Sequence, residues 1–123
     1  MGDLNDDPTS PSLSEVLKPK KDKEEVGLKE LYNPMEDMFK KGLGTLAYRD
    51  SWNLFDQMIV SAELTKTDYS SYRFYKAGIY NKSYLANPRG RYKGYPYRSY
   101  ADGGYTGGYS DHFPVYLYLI KEK

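Results

Sequence analysis

Cysteine is absent from the 123 residues. That absence excludes a disulfide framework, a thiolate zinc site and a cysteine nucleophile, and it leaves the redox compartment open. Histidine occurs once, as His112, so any imidazole chemistry rests on a single residue. No run approaches the roughly 20 apolar residues of a membrane-spanning helix. Charge of one sign is also lacking, with 18 Lys and Arg against 17 Asp and Glu. Attraction to nucleic acid or to an acidic membrane would therefore have to be local. The first residues, Met1-Gly2-Asp3-Leu4-Asn5-Asp6-Asp7, are acidic and lack the basic and apolar regions of a secretory signal. Nothing in the sequence assigns a location.

What the chain has in quantity is tyrosine, 15 residues in all, concentrated between Tyr69 and Tyr118. An apolar ring with a polar tip serves a core edge and a wet binding surface equally well. Length predicts one domain over residues 1–123, with a modest core. Residues 1–5 read as a strand end that breaks into a turn at Asn5-Asp6-Asp7-Pro8. Ser10 to Leu17 reads as a short helix with Leu13, Val16 and Leu17 on one face. Residues 18–25 are polar, charge-mixed and interrupted by Pro19, the composition of a solvated linker. Asn33 is expected to cap a helix through Lys41, with Glu36 reaching back to it and Gly42 ending it. Gly44–Tyr48 and Trp52–Ser61 read as an antiparallel hairpin, the second strand apolar enough for burial on both faces. Residues 68–109, rich in Tyr, Gly, Arg and Ser, read as long ordered loops. Val115, Leu117 and Leu119 alternate with tyrosines as a terminal strand.

Three segments put charged or amide side chains where a core would not: Gly2-Asp3-Leu4-Asn5, Asn53-Leu54-Phe55-Asp56-Gln57 and Ser110-Asp111-His112-Phe113-Pro114-Val115. Each alone has ordinary structural uses. Asp3 and Asn5, two apart on an extended strand, would share a side. Asp56 in an apolar strand must be paired or solvated, because burying a lone charge is costly, and His112 is the simplest partner.

Taken together and in this order, the three segments resemble the carboxy-terminal half of the endonuclease/exonuclease/phosphatase superfamily, over essentially the whole chain. The extension Gly2 to Ser12 is similar to bacterial members of uncharacterised substrate. The resemblance implies an α/β (α+β) fold: one mixed, mainly antiparallel sheet with outer helices, half of a four-layer sandwich. It implies a metal-dependent hydrolase acting on phosphodiesters or phosphomonoesters by direct in-line attack of water. In that scheme Asp3 orients or deprotonates the water and Asn5 hydrogen-bonds the nucleophile and the phosphate. His112 binds the scissile phosphate, Asp56 fixes the tautomer of His112, and Asp111 lies at the metal side of the site. The cofactor is Mg2+ or Mn2+, a hard cation that takes oxygen ligands.

The superfamily's metal-binding glutamate and its first asparagine belong to the amino-terminal half, which the resemblance leaves outside this stretch. The chain is accordingly expected to be inactive or weak alone and to expose an apolar sheet face, through which it would self-associate or meet the missing half. Arg91 and Tyr95, in the run Arg89 to Tyr100, are candidate substrate-binding residues, since guanidinium groups grip phosphate and tyrosines stack on bases or sugars. The alternative reading is a non-catalytic module that recognises glycan or single-stranded nucleic acid through this Tyr- and Arg-rich loop. Gly103-Gly104 and Gly107-Gly108 make no nucleotide-binding fingerprint, lacking a preceding strand and a following helix.

Overall fold

Residues 51–61 organise the chain by taking three different partners along one run. A computed structural model describes all residues, 1–123. β4 (Ser51–Asn53) pairs antiparallel with β3 (Leu46–Tyr48), so that Ala47 lies opposite Trp52. Arg49 and Asp50 close this hairpin with φ of 49° and 62°, the two positive dihedrals that a tight two-residue turn demands. β5 (Asp56–Gln57) then pairs with β1 (Gly2–Asp3), and β6 (Val60–Ser61) with β2 (Leu31–Tyr32).

The expectation of one continuous strand from Trp52 to Ser61, buried on both faces, is corrected here. Leu54, Gln57 and Val60 are buried, while Asp56, Met58 and Ile59 are only partly covered. The cause is local hydrogen bonding. Between the paired segments, Leu54 N donates to Asp7 Oδ1 at 2.6 Å and Asp56 N to Thr45 Oγ1 at 3.5 Å. Side chains from distant segments thus replace ladder partners, and the strand is cut into three.

The longest ladder joins β7 (Arg73–Ile79) to β10 (Val115–Ile120), antiparallel, with a register shift between Tyr118 and Leu119. β7 falls inside the stretch 68–109 that composition marked as loop. Its residues become a strand because a long partner is available, and context of that kind decides β structure more than intrinsic preference does. Gly78 is needed there. A Cβ at this position would lie 2.5 Å from Tyr116 Oη, so the phenol occupies the place of a side chain. A small hairpin, β8 (Tyr100–Ala101) with β9 (Gly104–Tyr105), completes the pairing.

Helices are short: α1 (Met35–Lys40), α2 (Ala62–Thr65) and single turns elsewhere. Asn33 does cap α1, its Oδ1 accepting from Met35 N at 3.0 Å, and Gly42 ends it at φ 81°. Glu36 does not reach back. Its carboxylate meets Lys40 one turn on at 2.5 Å, which holds the Lys40 ammonium above its ordinary range. The turn Ser12–Leu17 is π-helical, closed by Lys18 N donating to Leu13 O at 2.6 Å. That wider winding breaks the expected shared face: Leu13 is buried, whereas Val16 and Leu17 are exposed. Residues 18–25, expected to be a solvated linker, touch the fold at Lys20, whose N donates to Leu31 O and whose O accepts from Asn33 N.

The class is α+β, and every ladder is antiparallel. Hydrogen bonding divides the expected single sheet into five two-stranded ladders, because the spine at 51–61 is interrupted as described. The buried apolar residues are Leu13, Met35, Leu54, Val60, Phe74 and Phe113. Each contributes about 1.5–3 kcal/mol if burial is complete. Arg73 is buried at the start of β7 and compensated by Asp68 and Glu63. Backbone donation from Ser70, and then Arg73, holds the Asp68 carboxyl below its usual range. Tyr72, Tyr75, Tyr118, Leu119 and Ile120 stay exposed along the β7–β10 region. No helix is long and apolar enough to cross a membrane.

Candidate functional site

Asp3 and Asp56 are direct cross-strand partners in the β1–β5 pair. Residues opposite one another in an antiparallel pair project to the same face, so the two carboxylates are neighbours by construction. Leu4 N, donating to Phe55 O at 2.8 Å, extends the pairing by one bond. The chain then turns at Asn5, which has φ 53° and donates its N–H to Asp3 Oδ1 at 2.9 Å. This differs from the extended Asp-x-Asn geometry expected from the sequence. The short Asp3 side chain captures the amide two residues on, a local bond that competes with the strand and ends it.

His112 arrives from the other end of the chain. Phe113 N donates to Thr45 O at 2.7 Å, and His112 N donates to Ser110 Oγ at 3.0 Å. These bonds fix the backbone beside β3 and set the imidazole Nδ1 at 2.6 Å from Asp56 Oδ2. Both side chains are about four-fifths covered, at 24% and 20% exposure. An ionised carboxylate only accepts, so Nδ1 carries the proton and Nε2 is left for another partner. Asp56 and His112 line a cavity of about 270 Å3 with Leu85, Tyr109, Ser110 and Phe113.

A buried polar network, not foreseen from the sequence, holds the β1 turn against this pair. Asn33 Nδ2 donates to Gln57 Oε1 at 2.7 Å, and Gln57 Nε2 donates to Asp6 O at 2.7 Å. Both amides are fully buried. Asp7 clamps the far side, accepting from Asn53 Nδ2 at 2.8 Å and from Leu54 N. The available signal was Gln57 itself, an amide among apolar neighbours directly after Asp56. Gln57→Leu should destabilise the fold by about 1–3 kcal/mol, since it strands Asn33 Nδ2 and Asp6 O in the interior. Urea unfolding would show a lower midpoint at unchanged slope, and an unmoved midpoint would remove the network from the account.

Asp111, Arg91 and Tyr95 lie elsewhere, together lining a second cavity of about 450 Å3. Asp50 joins them: Tyr95 Oη donates to its Oδ1 at 3.3 Å, and the Arg91 guanidinium lies 3.6 Å from its Oδ2. Burial, followed by the nearby Asp50 charge, raises the Tyr95 phenol above its usual range. No group of three or more His, Asp or Glu side chains is close enough to hold a metal ion. These residues therefore do not make a divalent-cation site by themselves, and Asp111 offers a single carboxylate.

A model of the endonuclease/exonuclease/phosphatase family matches residues 1–121. No curated protein and no solved structure shows significant similarity to the chain.

Proposed function

We propose that this chain, which belongs to the endonuclease/exonuclease/phosphatase family, carries the part of a phosphoesterase site that activates water and binds the phosphoryl group. The supporting observation is the Asp56–His112 contact at 2.6 Å on the face where Asp3 stands opposite Asp56. Asp56 accepts from Nδ1–H and stabilises the ring when Nε2 is also protonated, and Nε2–H is then the donor that meets a phosphoryl oxygen as charge develops on it. Asp3 orients or deprotonates water for in-line attack, and Asn5 hydrogen-bonds that water or the phosphate. The ester oxygen leaves with the alcohol, without a covalent enzyme intermediate.

Asp111 is assigned to a Mg2+ or Mn2+ ion, whose contribution when bound is to offset phosphoryl charge. A hard cation needs further oxygen ligands, and the chain has no cluster that supplies them. We assign the remaining carboxylate to a segment outside residues 1–123. The exposed Tyr118 and Ile120, two apart on β10, are the apolar side chains against which that segment would pack.

Asp3→Asn in the intact protein tests the reading. The amide oxygen still accepts from Asn5 N, so the turn survives while the charge is lost. Hydrolysis of bis(p-nitrophenyl) phosphate with Mg2+ should fall by about 100-fold, and chelation should abolish turnover of the unsubstituted protein. Equal rates for Asp3→Asn and the parent would take Asp3 out of the mechanism.

A further inference from the structure

Two side-chain contacts join the run from Trp52 to Asp56 to the segment just before β10. One is the Asp56–His112 hydrogen bond at 2.6 Å. The other is the Phe113 ring stacked on Trp52, with ring centres 6.1 Å apart and planes 18° from parallel. Thr45 reaches both segments, its O accepting from Phe113 N at 2.7 Å and its Oγ1 from Asp56 N at 3.5 Å. Trp52 stands four positions before Asp56, and Phe113 directly follows His112. The aromatic stack and the hydrogen bond are therefore two rungs between the same pair of backbones. An imidazole turns about its side-chain bonds unless its backbone and its partner are both held, so the second rung depends on the first.

Trp52 lines neither cavity. Any effect it has on the reaction must pass through what it touches. On one side that is Phe113, only 3% exposed, with little room to move unless Trp52 yields. On the other side it is Tyr95, whose ring meets Trp52 edge to face at 5.4 Å and 73°.

Tyr95 is itself held in place. Its Oη donates to Asp50 Oδ1 at the hairpin tip at 3.3 Å, its ring leans on Tyr92 at 5.9 Å, and its O accepts from Asn87 N at 2.7 Å. The same loop continues to the other flank of His112. Tyr97 N donates to Leu85 O at 2.8 Å, and Tyr97 O accepts from Tyr109 N at 2.8 Å. A Cβ at Gly108 would collide with Tyr97 O, so only glycine lets the two backbones approach. Leu85 and Tyr109 are walls of the His112 cavity. Residues 109–113 are thus gripped at one end by the loop and at the other by the β3–β4 hairpin, and Tyr95 couples the two through Trp52 and Asp50.

We propose that Trp52, backed by Tyr95, is a positioning residue for His112: its stack on Phe113 keeps the imidazole where Asp56 can hold Nδ1–H. The effect on turnover rests on the phosphoesterase reading, and the effect on the ring rests on geometry alone.

The test pairs nitrogen-15 NMR of the His112 ring with steady-state hydrolysis of bis(p-nitrophenyl) phosphate, both on the intact protein with Mg2+. Trp52→Ala should broaden or abolish the Nδ1–H signal, identified by its loss in His112→Ala, because the proton then exchanges faster with water. It should also lower kcat by about 100-fold with KM changed by less than about threefold. Trp52→Phe, which can still stack on Phe113, should restore both readouts. Tyr95→Leu leaves that stack in place and removes only its backing, so it should weaken the signal and lower kcat by about tenfold; it decides the matter if Trp52→Ala does not fold. An unchanged Nδ1–H signal in variants that unfold at a lower urea midpoint would make the stack purely structural and overturn the inference. A raised KM at unchanged kcat in Tyr95→Leu would make Tyr95 a substrate contact and overturn its part. Loss of the signal in Trp52→Ala, with turnover indifferent both to it and to His112→Ala, would leave the placement of the ring standing and bring down the phosphoesterase reading.

Discussion

Replacing His112 with alanine should lower phosphodiester turnover of the intact protein by about a thousandfold, with only a small change in stability. The first part follows from the role of the ring. Losing a preorganised donor aimed at developing charge costs about 10²–10³ in rate, and losing a positioned proton-transfer group costs about 10²–10⁴. The second part follows from geometry. The imidazole is a quarter exposed and packs at a cavity wall, so its removal opens little interior space. What it does remove is the partner of Asp56, which is left facing Asp3 across the β1–β5 pair. Like charges directly opposite one another destabilise a sheet, by about 0.2–1 kcal/mol. Steady-state kinetics and urea unfolding on the same variant read the two effects separately. A variant with parental turnover would exclude His112 from the reaction.

Asp56→Asn should separate stability from activity more sharply. Asparagine keeps the size and shape of aspartate but removes the carboxylate charge that supports the ring when both nitrogens carry protons. The donor at Nε2 is then weakened and less well oriented, and turnover should fall by about a thousandfold. Stability should hold or rise, because the substitution also removes the like-charge opposition to Asp3. A residue retained only to satisfy the fold would show the opposite pattern, losing stability when changed and leaving turnover intact. Loss of activity without loss of stability therefore identifies a group kept for chemistry, in line with the general finding that active sites are held at some expense to the fold.

The meeting of Asp56 and His112 was legible before any coordinates. A carboxylate among Leu54, Phe55 and Met58 requires a partner, and the only imidazole stands just before the terminal strand. The antiparallel hairpin at Arg49-Asp50 and the cap at Asn33 were legible for a similar reason, since both are written in a few adjacent residues. The misreadings share a different cause. Trp52–Ser61 looked continuous because periodicity registers apolar side chains, and it cannot register that Asp7 and Thr45 take over its backbone donors. β7 was hidden because Arg73, Lys76, Ala77 and Gly78 interrupt its strand formers, and their pairing is set by β10, some forty residues on. Asn5 leaves the strand because a bond within its own turn wins. The shared cavity of Arg91, Tyr95 and Asp111 depends on the hairpin tip and a distant loop closing on one another, which no local pattern encodes.

The central claim is that Asp56 holds one nitrogen of His112 so that the other can hydrogen-bond a phosphoryl oxygen. Nitrogen-detected NMR of the His112 ring, recorded with and without p-nitrophenyl phosphate, addresses it directly. The account predicts a proton on Nδ1 in the free protein and a shift of Nε2 on addition of the ester. A ring protonated at Nε2 instead, with neither resonance moved by the ester, would contradict it.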